Sequence, residues 1–129
     1  MLKKTIKFKS KKIEFLLLEI GNDIIFIVFG GDQPHLGAIS VGIPRPSLKN
    51  SGQLSSTIST YVFAGHKDDI IGNKIADEIA KKMNKKVVVI AGIHFHNLSK
   101  KDINLLIEKS GIVCQELIEL FQKNSINTD

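Results

Sequence analysis

The four histidines stand in three short segments of the chain, and each segment contains a glycine. The segments are Gly30-Gly31-Asp32-Gln33-Pro34-His35, Gly65-His66-Lys67-Asp68-Asp69 and Gly92-Ile93-His94-Phe95-His96-Asn97. Each lies where a predicted strand begins or ends, and glycine lets a backbone approach a ligand closely. Because ligands collect outside the carboxyl ends of strands in open α/β sheets, we expect the histidines to help bind one small anionic ligand. The alternative is that each histidine is only a turn residue or a capping donor.

Cationic groups that suit an anion occur in two places. Gly65-His66-Lys67 precedes a predicted helix, so it offers backbone N–H groups, the positive end of a helix dipole and a lysine. Arg45, between Pro44 and Pro46, is the one arginine among 18 Lys and Arg residues. Its planar guanidinium can hold a phosphate through two parallel hydrogen bonds. A solvated turn and an exposed loop arginine are the alternatives.

Metal binding is a second chemistry that the histidines permit. His94 and His96 alternate on an extended segment, so their side chains would point the same way and chelate a metal, with His66 or Asp32 completing the site. The usual motifs of zinc proteases, phosphate-binding loops, serine hydrolases and dinucleotide-binding folds are missing. The single cysteine, Cys114, lies on or beside an apolar helical stripe, where we expect it to pack rather than to act as a nucleophile.

Runs of apolar and alternating residues predict the strands that position these segments. The predicted strands are Thr5–Lys9, Ile13–Ile20, Ile24–Phe29, Leu36–Ile43, Leu54–Phe63 and Lys86–Ile93. Gly21-Asn22-Asp23 favours a hairpin between the second and the third. Pro44–Gln53 is a polar loop, long enough to form a flap over a site.

Two segments have the spacing of amphipathic helices. The first is marked by Ile71, Ile75, Ile79 and Met83. Asp68 and Asp69 favour its start, and the second helix is predicted from Lys100 to Gln122. Together the elements predict an α+β fold, a five- to six-stranded mixed, largely antiparallel sheet with two C-terminal helices packed on one face. Residues 1–129 would form a single domain.

The central strands are apolar on both faces. Two helices can cover one face of the sheet, but Phe15–Leu18 and Ile24–Phe29 leave apolar side chains for the other. We therefore predict a homo-oligomer, most simply a homodimer.

Composition narrows the class of protein. The chain is 43% hydrophobic and 24% charged, which is ordinary for a folded domain. Its net charge of +5 comes largely from lysines near the N-terminus without interleaved aromatic residues, so nucleic-acid binding is not expected. The N-terminus lacks the apolar core of a signal peptide, and no apolar run has the length of a membrane helix. We expect a cytoplasmic protein that has no membrane partner.

Four motifs, taken together, resemble a known family. They are Gly30-Gly31-Asp32-Gln33-Pro34-His35-Leu36-Gly37-Ala38, Pro44-Arg45-Pro46-Ser47, Gly65-His66-Lys67-Asp68 and Ala91-Gly92-Ile93-His94. In this order they resemble the small LpdD-like proteins, which are associated with bacterial gallate decarboxylase and described as prenylated-flavin chaperones. The resemblance runs from about Gly30 through the long helix.

The resemblance implies a non-catalytic helper that binds reduced prenylated flavin mononucleotide (prenylated FMN). The flavin would be made by a flavin prenyltransferase of the UbiX type and delivered to a decarboxylase of the UbiD type. The implied binding positions are Gly31, Asp32, His35, Arg45, His66, Lys67, His94 and Asn97. Within this set, Arg45 and Lys67 suit the phosphate, while the histidines and Asn97 suit polar atoms of the ring. Apolar neighbours that could cover the ring are Ile43, Phe63 and Phe95.

Two other functions stay open at this point. One is an enzyme, either a metal-dependent hydrolase or a decarboxylase accessory subunit, that uses His66, His94 and His96. The other is an oligomeric interaction module that binds no small ligand.

Overall fold

Six strands and two helices make up the computed structural model, which describes residues 1–63, 65 and 67–126. In chain order they are β1 (Leu2–Phe8), β2 (Lys11–Ile20), β3 (Asp23–Gly31), β4 (Ala38–Pro46), β5 (Leu54–Val62), α1 (Lys67–Met83), β6 (Val87–His94) and α2 (Lys100–Ile126). Neither helix, over the residues described, is long and apolar enough to cross a membrane.

The strands form one sheet in the order β1-β2-β3-β6-β4-β5. β3 and β6 are parallel, and every other neighbouring pair is antiparallel. The carboxyl ends of β3 and β6 therefore meet at the same edge, and β5 also ends there because β4 lies antiparallel between β5 and β6. This sheet confirms the predicted α+β class. Only α2 is C-terminal, however, because β6 follows α1.

Tight turns connect the N-terminal strands. Lys9 and Ser10 both have positive φ, 50° and 66°, as a two-residue turn needs when its twist is to match the strands it joins. Gly21, with φ 58°, begins the next connection and so confirms the predicted hairpin. The predicted loop over 44–53 is shorter in the structure, because β4 continues to Pro46. Pairing of β4 with β6 stops at Gly42. Pro44 and Pro46, which have no N–H, therefore interrupt no hydrogen bonds between β4 and β6.

Both helices pack on one face of the sheet, the covered face. α1 contacts β4, β5 and β6, and α2 contacts α1, β1 and β2. Phe15, Phe26 and Val89 on the sheet are fully buried. Ile75 of α1 and Leu117 of α2 are fully buried in the same core. Side chains alternate between the two faces along each strand, and apolar side chains recur about every four residues along each helix, so both sets point into the same core.

The opposite face carries two rows of aliphatic side chains and no helix. The first row is Leu16, Ile27, Ile90 and Ile39, and the second is Leu18, Ile25, Val88 and Val41. We call these eight residues the open face. All eight are partly exposed to solvent, in contrast to their fully buried neighbours on the covered face.

Candidate functional site

Three of the four histidines lie together at the carboxyl ends of β3 and β6. The ring centroids of His35 and His94 are 5.6 Å apart, and so are those of His94 and His96, both pairs in an edge-to-face arrangement. His94 ends β6 and alternates with the buried Ile93, so its ring is on the side of the open face. We call these three side chains the histidine rim. The fourth, His66, is outside the described residues.

Two glycines let the backbone segments of the rim come together. The backbone N–H groups of Asp32 and His35 donate to the carbonyls of His94 and Gly92, at 2.7 and 3.4 Å. A Cβ on Gly31, where φ is +88°, would stand 2.2 Å from the carbonyl oxygen of His94. A Cβ on Gly92 would stand only 1.4 Å from that of His35. These two N–H groups are therefore already bonded within the chain and are not available to a ligand.

Asp68, at the start of α1, is the buried anchor of the rim. Its carboxylate is 2% exposed, accepts the backbone N–H of Ile93 at 3.0 Å and lies 3.1 Å from Nε2 of His35. A carboxylate only accepts hydrogen bonds, so Nε2 of His35 must be the donor, and Nδ1 is the ring nitrogen that remains for a ligand. A Cβ on Gly37 would meet Asp68 at 1.9 Å, so that glycine also makes room for the carboxylate.

Lys67 is turned into the edge of the sheet. Its ammonium donates to the carbonyl of Ile93 and lies 3.5 Å from Asp68, and the side chain is only 16% exposed. The structure thus brings Lys67 to the rim, but with its charge partly neutralised by a neighbouring carboxylate.

Asp32 fixes the segment that carries His96. Its carboxylate accepts the backbone N–H of His96 at 3.0 Å and stands 3.7 Å from the ammonium of Lys11. The hydrogen bond from the backbone N–H of His96 is the largest cause that lowers the pKa of Asp32 below its usual 3.8, and the charge of Lys11 makes a smaller contribution in the same direction. Asn97 follows on the surface, where its carbonyl accepts a hydrogen bond from Lys9 at 3.3 Å.

Arg45 is at the opposite end of the sheet from the rim. Its guanidinium donates to Oγ1 of Thr57 at 3.1 Å and to the carbonyl of Pro46 at 3.2 Å. Ala38, at the start of β4, is beside the rim, and the seven residues from there to Arg45 span about 23 Å of strand. Within one chain, therefore, the structure does not bring Arg45 to the histidines.

An aromatic pair that the sequence analysis only half identified lies near the rim. Tyr61 and Phe63 are 66% and 51% exposed with ring centroids 5.0 Å apart. Phe63 donates its N–H to the carbonyl of Gly37 at 2.8 Å, two residues from His35. Of the other residues expected to cover a ring, Phe95 is buried against Phe8 and Ile43 is at the Arg45 end of the sheet. Alternation along β5 would have paired Tyr61 with Phe63 from the sequence.

Metal ligands are not assembled in the part of the chain that the structure describes. Among residues 1–63, 65 and 67–126, no three His, Cys, Asp or Glu side chains are placed to hold one metal ion.

Comparison with known proteins places the chain in a family. The model for the prenylated flavin chaperone LpdD-like domain matches residues 7–122. Protein LpdD of Lactiplantibacillus plantarum is 21% identical over 118 residues, which are 92% of this chain and 83% of that protein. A chain in the crystal structure of a chaperone complex for yeast 20S proteasome assembly aligns over 95% of this chain and 98% of its own, with a TM-score of 0.49 and 17% identity.

The family match runs from the end of β1 into α2 and so includes every element that builds the rim. A chaperone family implies an accessory role for its members. The chain belongs to the LpdD-like prenylated flavin chaperone family.

Proposed function

We propose that the histidine rim binds reduced prenylated FMN and that the chain acts as a non-catalytic chaperone for this flavin. The observation that carries the proposal is the meeting of three imidazoles, edge to face, beside an aromatic pair that stays half exposed. Polar donors and acceptors next to uncovered aromatic surface suit a flat ring system with polar edges.

The rim offers two kinds of contact to a flavin. Nδ1 of His35 and the ring nitrogens of His94 and His96 can hydrogen-bond polar atoms at the edge of the ring system. Tyr61 and Phe63 can stack against its face. Asp68 holds His35 in one orientation, so this contact is partly organised before the ligand arrives.

Carboxylates partly neutralise three of the lysines near the rim. The ammonium groups of Lys67, Lys11 and Lys9 each stand near a carboxylate, namely that of Asp68, Asp32 or Asp102. A phosphate would compete with these carboxylates for the same positive charge. His66 and Arg45 stay in the proposed binding set as further partners for it.

The accessory role follows from what such a site would do. The bound flavin supplies the chemistry of the client decarboxylase, whereas this chain would orient the ring and limit its contact with water and oxygen. A rim at the edge of a sheet is open on one side, so it can receive the flavin from a UbiX-type prenyltransferase and release it to a UbiD-type decarboxylase. Both partners are part of the proposal, as is a cytoplasmic location.

An anaerobic titration with reduced prenylated FMN tests the proposal. We expect saturable binding by absorbance and slower oxidation of the bound flavin after air is admitted. His94→Ala removes one side-chain hydrogen bond, so its Kd should rise about tenfold while its melting temperature stays unchanged. Ile112→Ala is the matched control, because Ile112 is exposed on α2 and should leave binding unaltered.

Two results would overturn the proposal. The first is the absence of saturable binding by the wild-type chain. The second is equal affinity of the wild type and of a variant that carries His35→Ala, His94→Ala and His96→Ala together, provided that the variant is folded.

A further inference from the structure

The first twelve residues hold six lysines, and two of these differ from the other four. The four are each beside a carboxylate, as the pairs Lys3–Glu14, Lys4–Glu116, Lys9–Asp102 and Lys11–Asp32. Lys7 and Lys12 are the remaining two, and both are exposed. In the part of the chain that the structure describes, neither forms an ion pair with a carboxylate. Their positive charges are therefore available to an anion.

Lys7 and Lys12 are directly opposite each other in the hairpin of β1 and β2. Residues paired in this way share a face of the sheet, with Cβ atoms about 4.5–5.5 Å apart, and like charges at such positions are destabilising. Glu14 lies on the same face of β2, but its carboxylate is engaged with the ammonium of Lys3 at 3.1 Å. A dianion held between Lys7 and Lys12 would remove their repulsion.

The Lys7–Lys12 pair is on the same face and at the same end of the sheet as the histidine rim. Lys12 alternates with the fully buried Ile13, so its side chain is on the side of the open face, as is that of His94. Continued by one residue, the register of β2 with β3 puts Lys12 beside Gly31, whose partner on β6 is His94. Lys12 is thus two strands, or about 10 Å, from His94, and Lys7 is one strand further.

We propose that Lys7 and Lys12 bind the phosphate of the flavin whose ring lies at the histidine rim. A phosphomonoester carries about two negative charges at pH 7 and three acceptor oxygens, which suits two ammonium groups. Between the ring and the phosphorus, FMN has about seven single bonds, which at roughly 1.2 Å each span about 8 Å. That length fits the separation of His94 and Lys12, because the flexible lysine side chain adds reach of its own. The assignment rests on the proposed function, since it takes the rim as the site of the ring.

The cations that the sequence analysis assigned to the phosphate suit it less well. The ammonium of Lys67 lies 3.5 Å from a buried carboxylate and donates to a backbone carbonyl. Arg45 is at the opposite end of the sheet, with its guanidinium bonded to Thr57. Lys7 and Lys12 have no ion pair to give up among the described residues, so a phosphate would meet no competing carboxylate there.

A single dianion suits the pair better than a nucleic acid or an anionic membrane. Those partners are bound by extended clusters of free cations. The lysines that precede and follow Lys7 on its hairpin strand, Lys3 and Lys9, are instead held by Glu14 and Asp102. The free charge is therefore confined to one pair of side chains.

Comparison of prenylated FMN with the same flavin after removal of its phosphate tests the assignment. Under anaerobic conditions the wild type should bind the phosphorylated form about 100-fold more tightly, or roughly tenfold for each lysine contact. The double variant with Lys7→Gln and Lys12→Gln should lose this preference and keep its affinity for the dephosphorylated form. Its melting temperature should not fall, because the substitutions remove a repulsion.

The matched control is a double variant with Lys49→Gln and Lys123→Gln. It removes the same charge from two exposed sites away from the rim and should keep the preference for the phosphate. Three results would overturn the assignment: a wild type that binds both flavins equally, a Lys7 and Lys12 double variant that keeps the full preference, or an equal loss of affinity for both flavins in that variant.

Inorganic phosphate separates this assignment from the proposed function, because its titration needs no flavin. At constant ionic strength, the backbone amide resonances of residues 7 and 12 should shift saturably in the wild type and not in the double variant. Such shifts in a chain that binds no prenylated FMN would contradict the proposed function and keep the anion site. Binding of prenylated FMN without preference for its phosphate would contradict the anion site and keep the proposed function. A chain that shows neither would contradict both.

Discussion

The covered face and the open face of the sheet are built from the same kinds of residue but differ in their surroundings. Along β3, Ile24, Phe26 and Val28 are at most 2% exposed, whereas Ile25 and Ile27, which alternate with them, remain partly exposed. The first three belong to the hydrophobic core that residues of α1 and α2 complete, whereas the other two lie on the face of the sheet that these helices leave uncovered. The hydrophobic pattern thus places apolar side chains on both faces of the sheet, but the topology decides which face the helices of the same chain bury.

The largest expected effect separates the two faces by folding stability. Phe26→Ala removes a fully buried ring beneath the helices and should lower the free energy of unfolding by about 3–5 kcal/mol. Ile27→Ala, one residue away on the open face, should cost far less at protein concentrations low enough to separate the copies of the predicted homodimer. Urea unfolding followed by circular dichroism measures both. Equal losses at low concentration would show that the open face is covered from within the chain.

A second comparison is between a glycine at the rim and one on a helix. Gly92→Ala would force its Cβ into the carbonyl of His35, and overpacking of this kind costs about 1–3 kcal/mol. Gly111→Ala on α2 meets only the flexible end of Lys74, and alanine favours a helix by up to about 1 kcal/mol. The first variant should lose stability and flavin binding together, and the second should lose neither. A stable Gly92→Ala with full affinity would mean that the rim does not need this close approach.

The elements of the fold were predictable because their signals are local. Apolar and alternating runs identified all six strands, and the four-residue repeat of Ile71, Ile75 and Ile79 identified α1. The side-by-side placement of β3 and β6 was not predictable in the same way, because it joins residues more than sixty positions apart in a parallel pair. The limits of β4 were missed because Pro44 and Pro46 indicate a loop unless one knows that β6 begins opposite Gly42 and does not extend beside them.

The site was only partly predictable. The glycine contexts predicted close approach of the backbone to a ligand, whereas Gly31 and Gly92 in the structure let two backbone segments approach each other. Asp68 was predicted at a helix start, which α1 confirms, but its bond to the N–H of Ile93 was not predictable because it exists only once β6 lies beside α1. The burial of Phe95 could have been predicted from the sequence, because the alternation that places His94 and His96 on one side of the segment places Phe95 on the other side.

A third prediction concerns the anchor between rim and core. Asp68→Asn keeps the shape of the side chain but removes the charge that holds the N–H of His35, so stability should fall by about 1–3 kcal/mol. Nitrogen chemical shifts of His35 should show a changed ring tautomer. Asp23→Asn removes only a distant surface ion pair with Lys86 and should cost at most about 1 kcal/mol. Equal costs for the two variants would contradict the anchoring role.

The smallest expected effect is a change with pH confined to the rim. The hydrogen bond from the backbone N–H of His96 is the main cause that lowers the pKa of Asp32 below 3.8, and Lys11 adds to it. The folded state therefore favours the ionised form, so the contact is fully made above about pH 4 and is lost as the pH falls through the folded-state pKa. The amide resonance of His96 should shift in that acidic range while that of Val89, on the covered face, stays in place. Asp32→Asn should abolish the shift, and a matching shift at Val89 would mean that acid loosens the covered face as well as the rim.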